Sequence, residues 1–93
     1  MKMALSHILV QHHYEAEDLQ RKLKQGQDFE TLAAKHSKCP SAKNRGSLGL
    51  IDLRRLDPDF AEAAERLQPG EISPVVRTKF GHHLIRCDKS TGS

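Results

Sequence analysis

Histidine and cysteine are the side chains of this 93-residue chain whose chemistry stands out, with six histidines and two cysteines. Two pairs are adjacent, His12 with His13 and His82 with His83, and neighbouring histidines can bind a stray metal ion. A structural zinc site, however, needs four ligands in a closed geometry. Neither Cys39 nor Cys87 has the CxxC or HxxxH spacing that would complete one. We therefore predict no metal site.

The two cysteines differ in their sequence surroundings. Cys39 lies in a stretch rich in Pro, Gly and Ser, directly before Pro40, where a reactive and an incidental thiol are about equally plausible. With a histidine nearby it could act as a nucleophile, although no motif of a hydrolase accompanies it. Cys87 follows an apolar segment and is predicted to be a core residue.

His7 interrupts the apolar run SHILV at residues 6–10. A polar ring inside a buried strand has to be hydrogen-bonded. Successive side chains of a strand point to opposite faces, so His7 shares a face with Leu9, and His83 shares a face with Ile85. If the two strands are neighbours, His7 and His83 can meet across them, but spacing alone leaves this open.

The pattern of apolar and turn-forming residues predicts the elements that must position these side chains. The first helix ends before Gly26, Asp28 caps the second, and Asp57-Pro58 is a strong start for the third. The second helix is predicted to carry its apolar side on Phe29, Leu32, Ala33 and His36. Pro74 marks an edge strand. The predicted order is a strand at 5–11, helices at 14–25 and from 29, a loop at 37–49, a strand at 48–52, a helix from 58 to 69, and strands at 72–76 and 82–87.

The order β-α-α-β-α-β-β, with short connections, predicts an α+β fold in which helices surround a small antiparallel sheet. The length fits a single domain over 1–93, with a core at about 5–88 and a loose tail at 89–93. The tail is small and polar.

Composition excludes several classes of function. The net charge is only +3, Trp is absent and one Tyr is present, so we expect no nucleic-acid partner. The mean hydropathy is −0.63 and no apolar run approaches the roughly 20 residues of a membrane span, so we expect no membrane partner. No signal peptide is evident, and two distant cysteines favour reduced thiols, so a cytoplasmic location is expected. A monomer is the default expectation.

Five fragments in order now carry a resemblance to a known family. They are SHILV at 6–10, HSKCPSAKNRGSLG at 36–49, PDFAEAA at 58–64, PGEISPVV at 69–76 and TKFGHHLI at 78–85. Together they resemble a parvulin, a peptidyl-prolyl cis/trans isomerase, of the small single-domain bacterial kind. The resemblance covers residues from about 5 to 88 and implies a four-stranded antiparallel sheet wrapped by helices.

The resemblance also implies a function and a site. It implies acceleration of rotation about X–Pro bonds in peptides and in unfolded or partly folded proteins, without a cofactor. The implied catalytic residues are His7, Cys39, Thr78 and His83. The implied hydrophobic proline pocket consists of Leu48, Leu56, Phe60 and Phe80. His82 receives no task, because it faces the other side of the strand.

Some residues depart from the family pattern. Leu56 stands where most relatives have Met, a tolerable swap, whereas Ile51 and Arg54 replace an aromatic residue and a Gly. The segment QHHYEAED at 11–18 lacks the basic cluster of phosphate-directed relatives, so we expect no phosphoserine specificity and little selectivity before proline, with apolar residues slightly favoured. The rival hypothesis is a chaperone or binding module of the same fold, with little turnover.

Overall fold

The computed structural model describes residues 2–90 of the chain, and only the backbone of Ser90. Two short 3₁₀ turns, Pro40–Asn44 and Leu53–Arg55, flank the second strand. The strands and helices are, in chain order, β1 (Lys2–Val10), α1 (His13–Lys24), α2 (Phe29–His36), β2 (Ser47–Asp52), α3 (Pro58–Glu65), β3 (Val76–Thr78) and β4 (Gly81–Ser90). This order confirms the predicted α+β string.

The four strands form one antiparallel sheet in the order β2-β1-β4-β3. The two long strands β1 and β4 are therefore central, and each is paired on both edges. A strand that is covered on both faces reads as a nearly continuous apolar run. This explains why SHILV shows so little alternation, and why a histidine within it must find a partner inside the protein.

Helices cover both faces of the sheet, and the strand alternation assigns side chains to them. Ile8, Val10 and Leu84 pack against α1 and α2 on one face. Met3, Leu5, Ile85 and Cys87 pack against α3 on the other face. Cys87 is fully buried, as predicted. Because His7 alternates with Ile8, its ring lies on the α3 side.

The central strands are longer than the sequence predicts. β1 begins at Lys2 instead of residue 5, and β4 continues to Ser90, where it pairs with Met3. The predicted tail at 89–93 is therefore wrong for Lys89 and Ser90, since each long strand supplies ladder partners to the other. Residues 91–93 lie outside the described part of the chain.

The predicted third strand at 72–76 is also wrong in its bounds. Ile72 forms a single bridge with Arg86, and regular pairing starts only at Val76. Pro74 lacks an N–H group and interrupts the ladder. The Ser73 hydroxyl compensates, because it accepts the Ile85 N–H at 3.0 Å while the Ser73 N–H donates to the Ile85 carbonyl at 2.7 Å.

The helix starts follow the predicted caps. The Asp28 side chain accepts the Thr31 N–H, and the Asp57 side chain accepts the Asp59 N–H. The third helix ends at Glu65, earlier than the predicted 69. His36 is exposed on the last residue of α2, so its predicted place on the apolar side is wrong. Among the helices of residues 2–90, none is long and apolar enough to cross a membrane.

Candidate active site

His7 and His83 meet on the α3 face of the two central strands. In the β1–β4 register His7 pairs with Ile85 and Leu9 pairs with His83, so the two histidines are diagonal neighbours. Diagonal side chains on one face are within reach of each other when they are long or aromatic. The rings are nearly parallel, with an interplanar angle of 17° and centroids 5.2 Å apart. His7 and His83 are therefore in contact, which the sequence spacing had left open.

A chain of four side chains runs through this pair. The Nδ1 atoms of His7 and His83 are 3.1 Å apart, and His7 Nε2 lies 3.1 Å from the Ser41 hydroxyl. At the other end, His83 Nε2 lies 2.7 Å from the Thr78 hydroxyl. The order is therefore Ser41–His7–His83–Thr78, with His83 between His7 and Thr78. Ser41 was not singled out from the sequence.

One arrangement of protons satisfies every group of this chain. In it the Thr78 hydroxyl accepts the Phe80 N–H at 3.1 Å and donates its own proton to His83 Nε2. His83 then carries its proton on Nδ1 and donates it to His7, and His7 donates from Nε2 to Ser41. Each imidazole holds one proton in this arrangement, and every polar atom has a partner.

Both imidazoles are held in the neutral form. Burial lowers the pKa of His7 to about 4, and the neighbouring His83 acts in the same direction. Burial likewise lowers the pKa of His83 to about 4; Asp57 opposes the shift and His82 adds to it. A second proton on either ring would place a charge in a buried site beside a second ring. The pair is therefore a neutral, hydrogen-bonded dipole at neutral pH.

The loop after α2 is tied to the end of β1. The Lys38 N–H donates to the Leu9 carbonyl at 2.7 Å, and the Ser37 hydroxyl accepts the Leu9 N–H at 3.0 Å. Gly46 closes the loop with its φ at +87°, and its carbonyl accepts the His7 N–H at 2.9 Å. These bonds replace ladder pairing with β2 along this part of β1 and hold Cys39 beside the histidines.

Phe60 forms an apolar wall against both rings. Its ring meets His7 edge-on with centroids 5.5 Å apart, and His83 edge-on at 5.2 Å. Phe60 comes from the first turn of α3. This helix begins at one side of the pocket, with Asp57 as its cap and Pro58 as its first residue. One side of the histidine pair is therefore covered by an aromatic ring.

These elements surround a pocket of about 360 Å³. Its size is at the small end of the range for ligand sites. Most of its walls are apolar side chains. The lining residues are His7, Leu9, Lys38, Cys39, Pro40, Leu48, Leu56, Asp57, Phe60, Phe80 and His83.

Phe80 forms the rim of this pocket. It lies in the two-residue turn between β3 and β4, where Thr78 pairs with Gly81. The turn projects the Phe80 ring outward, and 64 % of the residue is exposed. A Cβ at Gly81 would lie 2.6 Å from the Val10 carbonyl oxygen, so this close approach requires glycine. Phe80 therefore lines the pocket but is open to solvent.

Seven of the eight side chains expected from the resemblance line one pocket. Thr78 is the exception, because it lies buried behind His83 and acts on the pocket through that ring. Leu9, Lys38, Pro40 and Asp57 line the pocket without having been predicted. The sequence offered only a weak indication of these four residues. Each one is adjacent to a predicted site residue in the chain or shares a strand face with one.

His82 lies on the opposite face of β4, as alternation predicts. Its Nδ1 is 3.3 Å from the Gln11 carbonyl oxygen, and its ring meets that of His13 with centroids 5.4 Å apart. Arg54, one of the departures from the family pattern, forms an ion pair of 2.8 Å with Asp52 and lines no part of the pocket. Within residues 2–90 no three His, Cys, Asp or Glu side chains converge as metal ligands.

Comparisons with known proteins agree with this geometry. The family model described as "Rotamase: PPIC-type PPIASE domain" matches residues 7–89. The foldase protein PrsA of Bacillus subtilis is 39 % identical over 92 residues, which are 98 % of this chain and 32 % of that protein. Its crystal structure superposes with a TM-score of 0.93, covering 99 % of this chain and 36 % of that chain. The chain thus spans about a third of the length of this relative.

A smaller relative matches over nearly its whole length. The solution structure of NmPin, the parvuline of Nitrosopumilus maritimus, has a TM-score of 0.83 at 39 % identity. The match covers 92 % of this chain and 94 % of that one. It confirms the four-stranded fold that the resemblance implied. On the family model, these identities and the shared fold, the chain belongs to the PPIC-type peptidyl-prolyl isomerase family, the parvulins.

Proposed function

We propose that this chain is a peptidyl-prolyl cis/trans isomerase that accelerates rotation about X–Pro bonds in peptides and in unfolded or partly folded proteins. One observation carries the proposal: a small apolar pocket is bordered on one side by a buried, neutral pair of histidines. Membership of the isomerase family supports it. The name of the foldase relative is consistent with an unfolded chain as substrate.

The reaction requires no bond cleavage. Rotation about the X–Pro bond destroys amide resonance, and the barrier is about 18–20 kcal/mol. Uncatalysed exchange takes tens of seconds or longer. A reduction of the barrier by about 5 kcal/mol gives a factor of several thousand in rate. The site needs only to bind the twisted imide better than the planar one, so no cofactor is required.

The apolar walls supply part of this preference. Phe60, Leu56 and Phe80 surround the space for a proline ring, and a bound ring displaces water from it. A twisted imide has less charge separation than a planar one. A dry surrounding therefore disfavours the planar form relative to the twisted form.

The polar side of the pocket supplies the rest. His7 and His83 form a fixed dipole whose orientation is set by Ser41 and Thr78 at the two ends. A preoriented dipole costs no reorganisation when the carbonyl turns. Because both rings are neutral, no full charge opposes the loss of the amide dipole during rotation.

Cys39 has an electrostatic role in this proposal. It lines the pocket, is half-buried and carries a free thiol. Covalent attack on the carbonyl is the alternative that its position allows. Rotation does not need such a step, so the proposal assigns none.

Exchange NMR on an Ala-Pro peptide tests the proposal without an auxiliary protease. We expect cross-peaks between the cis and trans forms at catalytic amounts of protein, growing with protein concentration. The matched control is His82→Ala, which leaves the pocket intact. Binding of the peptide without exchange would refute isomerase activity and leave a binding module.

That rival is a chaperone of the same fold that holds proline-containing segments with little turnover. The exposed ring of Phe80 favours it, because an apolar rim suits loose contact with unfolded chains. The relative named chaperone SurA, from Aromatoleum aromaticum, is 44 % identical over 71 residues, 16 % of its length. Suppression of aggregation by a variant without exchange activity would support a holding role beside catalysis.

Three finer statements belong to the proposal. The chain acts without a requirement for phosphoserine, because residues 11–18 carry acids and no Lys or Arg. It acts as a monomer, which light scattering with chromatography tests. It is cytoplasmic, which is supported by two free cysteines and tested by cell fractionation.

A further inference from the structure

A shallow groove adjoins the proline pocket. It has a volume of about 390 Å³ and follows the end of β1, with Leu9, Val10, Gln11, Lys38 and Phe80 as its lining. Leu9, Lys38 and Phe80 line the proline pocket as well. The two spaces form one continuous surface, so a peptide with its proline in the pocket places a neighbouring residue in the groove.

Lys38 stands at the border between pocket and groove. Its N–H donates to the Leu9 carbonyl at 2.7 Å, and the next residue, Cys39, donates its N–H to the Ser37 hydroxyl at 3.4 Å. The backbone is therefore held while the side chain is exposed. The lysine stem therefore starts from a fixed backbone point at the border of pocket and groove.

A second ammonium lies beside a residue that lines the groove. Lys79 Nζ is 5.2 Å from the centroid of the Phe80 ring, and Phe80 lines the groove. Neither Lys38 nor Lys79 forms an ion pair with a carboxylate of residues 2–90. Asp57 lines the pocket, but not the groove, and its carboxylate is bonded to the Asp59 N–H. Two positive charges that no carboxylate of residues 2–90 pairs therefore lie beside the groove.

The residue before proline is the neighbour that these charges can reach. The carbonyl that rotates belongs to that residue, so its side chain begins close to the polar side of the pocket. Cys39 and His7 form that side, and Lys38 directly precedes Cys39. An anionic side chain before proline would therefore extend toward Lys38.

We propose that this site prefers an acidic residue, Asp or Glu, immediately before proline. The inference rests on the proposed isomerase function and names its substrate class, in contrast to the slight apolar preference expected from the sequence. Two separate ammonium groups are point charges on flexible stems, and they attract an anionic side chain without requiring a bidentate geometry. Exposed ion pairs of this kind change a rate by up to about fivefold.

The test compares peptides with Glu-Pro and Gln-Pro, which have nearly the same shape and differ in charge. Exchange NMR gives kcat/KM for each at about 0.02 M and about 0.5 M NaCl, because salt screens exposed charges. We expect a Glu/Gln ratio of about three to five at low salt, falling toward one at high salt. A peptide with Gln-Pro-Glu should show no such gain.

Variants then assign the effect to the two lysines. The double variant Lys38→Gln, Lys79→Gln is expected to lower the Glu/Gln ratio to about one. The matched control is Lys24→Gln, which removes the same charge at the last residue of α1. The helix starts near the groove and is roughly 18 Å long, so Lys24 lies at its far end. The control is expected to keep the ratio of the parent protein.

The outcomes separate this inference from the proposed function. Equal turnover of Glu-Pro and Gln-Pro, or a ratio that survives the double variant, would overturn the inference and leave isomerase activity in place. If the kcat/KM of a phosphoserine-proline peptide exceeds that of Glu-Pro by more than about tenfold, the groove is a phosphate site, and the inference is overturned as well. Absence of exchange on every peptide would remove the isomerase function, and the preference with it.

Discussion

Acidification should unfold this protein through its buried histidine pair. The pKa of each ring is lowered to about 4 in the folded protein, against 6.5 when it is exposed. Between these values the unfolded chain binds protons that the folded protein does not. The free energy of unfolding therefore rises with pH across this interval. The contribution of the histidine pair is fully present above about pH 6.5 and is lost as the pH falls toward 4.

The magnitude follows from the two pKa values. A difference of about 2.5 in pKa corresponds to about 3 kcal/mol for one histidine. Between about pH 7.5 and pH 4.5, the protonation of each ring should lower the free energy of unfolding by roughly 2–3 kcal/mol, so the pair lowers it by several kcal/mol. His7 and His83 are 5 % and 3 % exposed, so solvent offers little screening. Such a loss is comparable to the whole stability of many domains of this size.

Carboxylates do not obscure this interval. The pKa values of Asp18 and Asp28 are lowered from 3.8, by Lys22 and Arg21 in the first case and by Thr31 in the second. Groups of this kind stabilise above the unfolded pKa, and their contribution is lost only as the pH falls below it. Their effect therefore begins where that of the histidines ends.

Urea unfolding followed by circular dichroism, at several pH values and constant ionic strength, measures the free energy directly. The ring signals of His7 and His83 in an NMR titration give the midpoints without a variant. His36→Gln is the control, because that side chain is exposed at the end of α2 and its loss should leave the slope unchanged. Midpoints near 6.5, or a stability that is flat from about pH 7.5 to 4.5, would refute the reasoning.

Five substitutions make further predictions. Phe60→Ala should cost about 3–5 kcal/mol in unfolding free energy and most of the exchange activity in a variant that circular dichroism shows to be folded; retained activity would contradict the pocket. Cys39→Ser should keep a substantial part of the exchange rate measured by NMR, whereas an inactive folded variant would support covalent attack. His83→Ala should lower activity and cost about 2–3 kcal/mol in urea, while His82→Ala should cost less than about 0.5 kcal/mol, and equal effects would contradict the strand register. Gly46→Ala should cost more than about 2 kcal/mol in the same assay, because its φ is +87° and a Cβ would lie 2.7 Å from a β1 carbonyl oxygen; a neutral result would show that the loop yields.

The local chemistry of the chain predicted much of the architecture. Caps at Asp28 and Asp57 depend on bonds to the next few residues, so their effect can be read without tertiary contacts. Alternation likewise separated His82 from His83, since side-chain direction in a strand is a property of the backbone. Element ends were predicted less well, because β1 and β4 lengthen each other through pairing that the sequence does not show.

The sequence by itself determined which residues could do chemistry, that His7 needed a buried partner, and, through five spaced fragments, the family. Only the tertiary structure decided that the partner is His83 through Nδ1, that Ser41 and Thr78 close the two ends, and that Phe60 shields both rings. It also decided that two lysines border a groove beside the pocket. The bonds that join His7 to Ser41 and to His83 link residues 34 and 76 positions apart in the chain, and folding alone sets those distances.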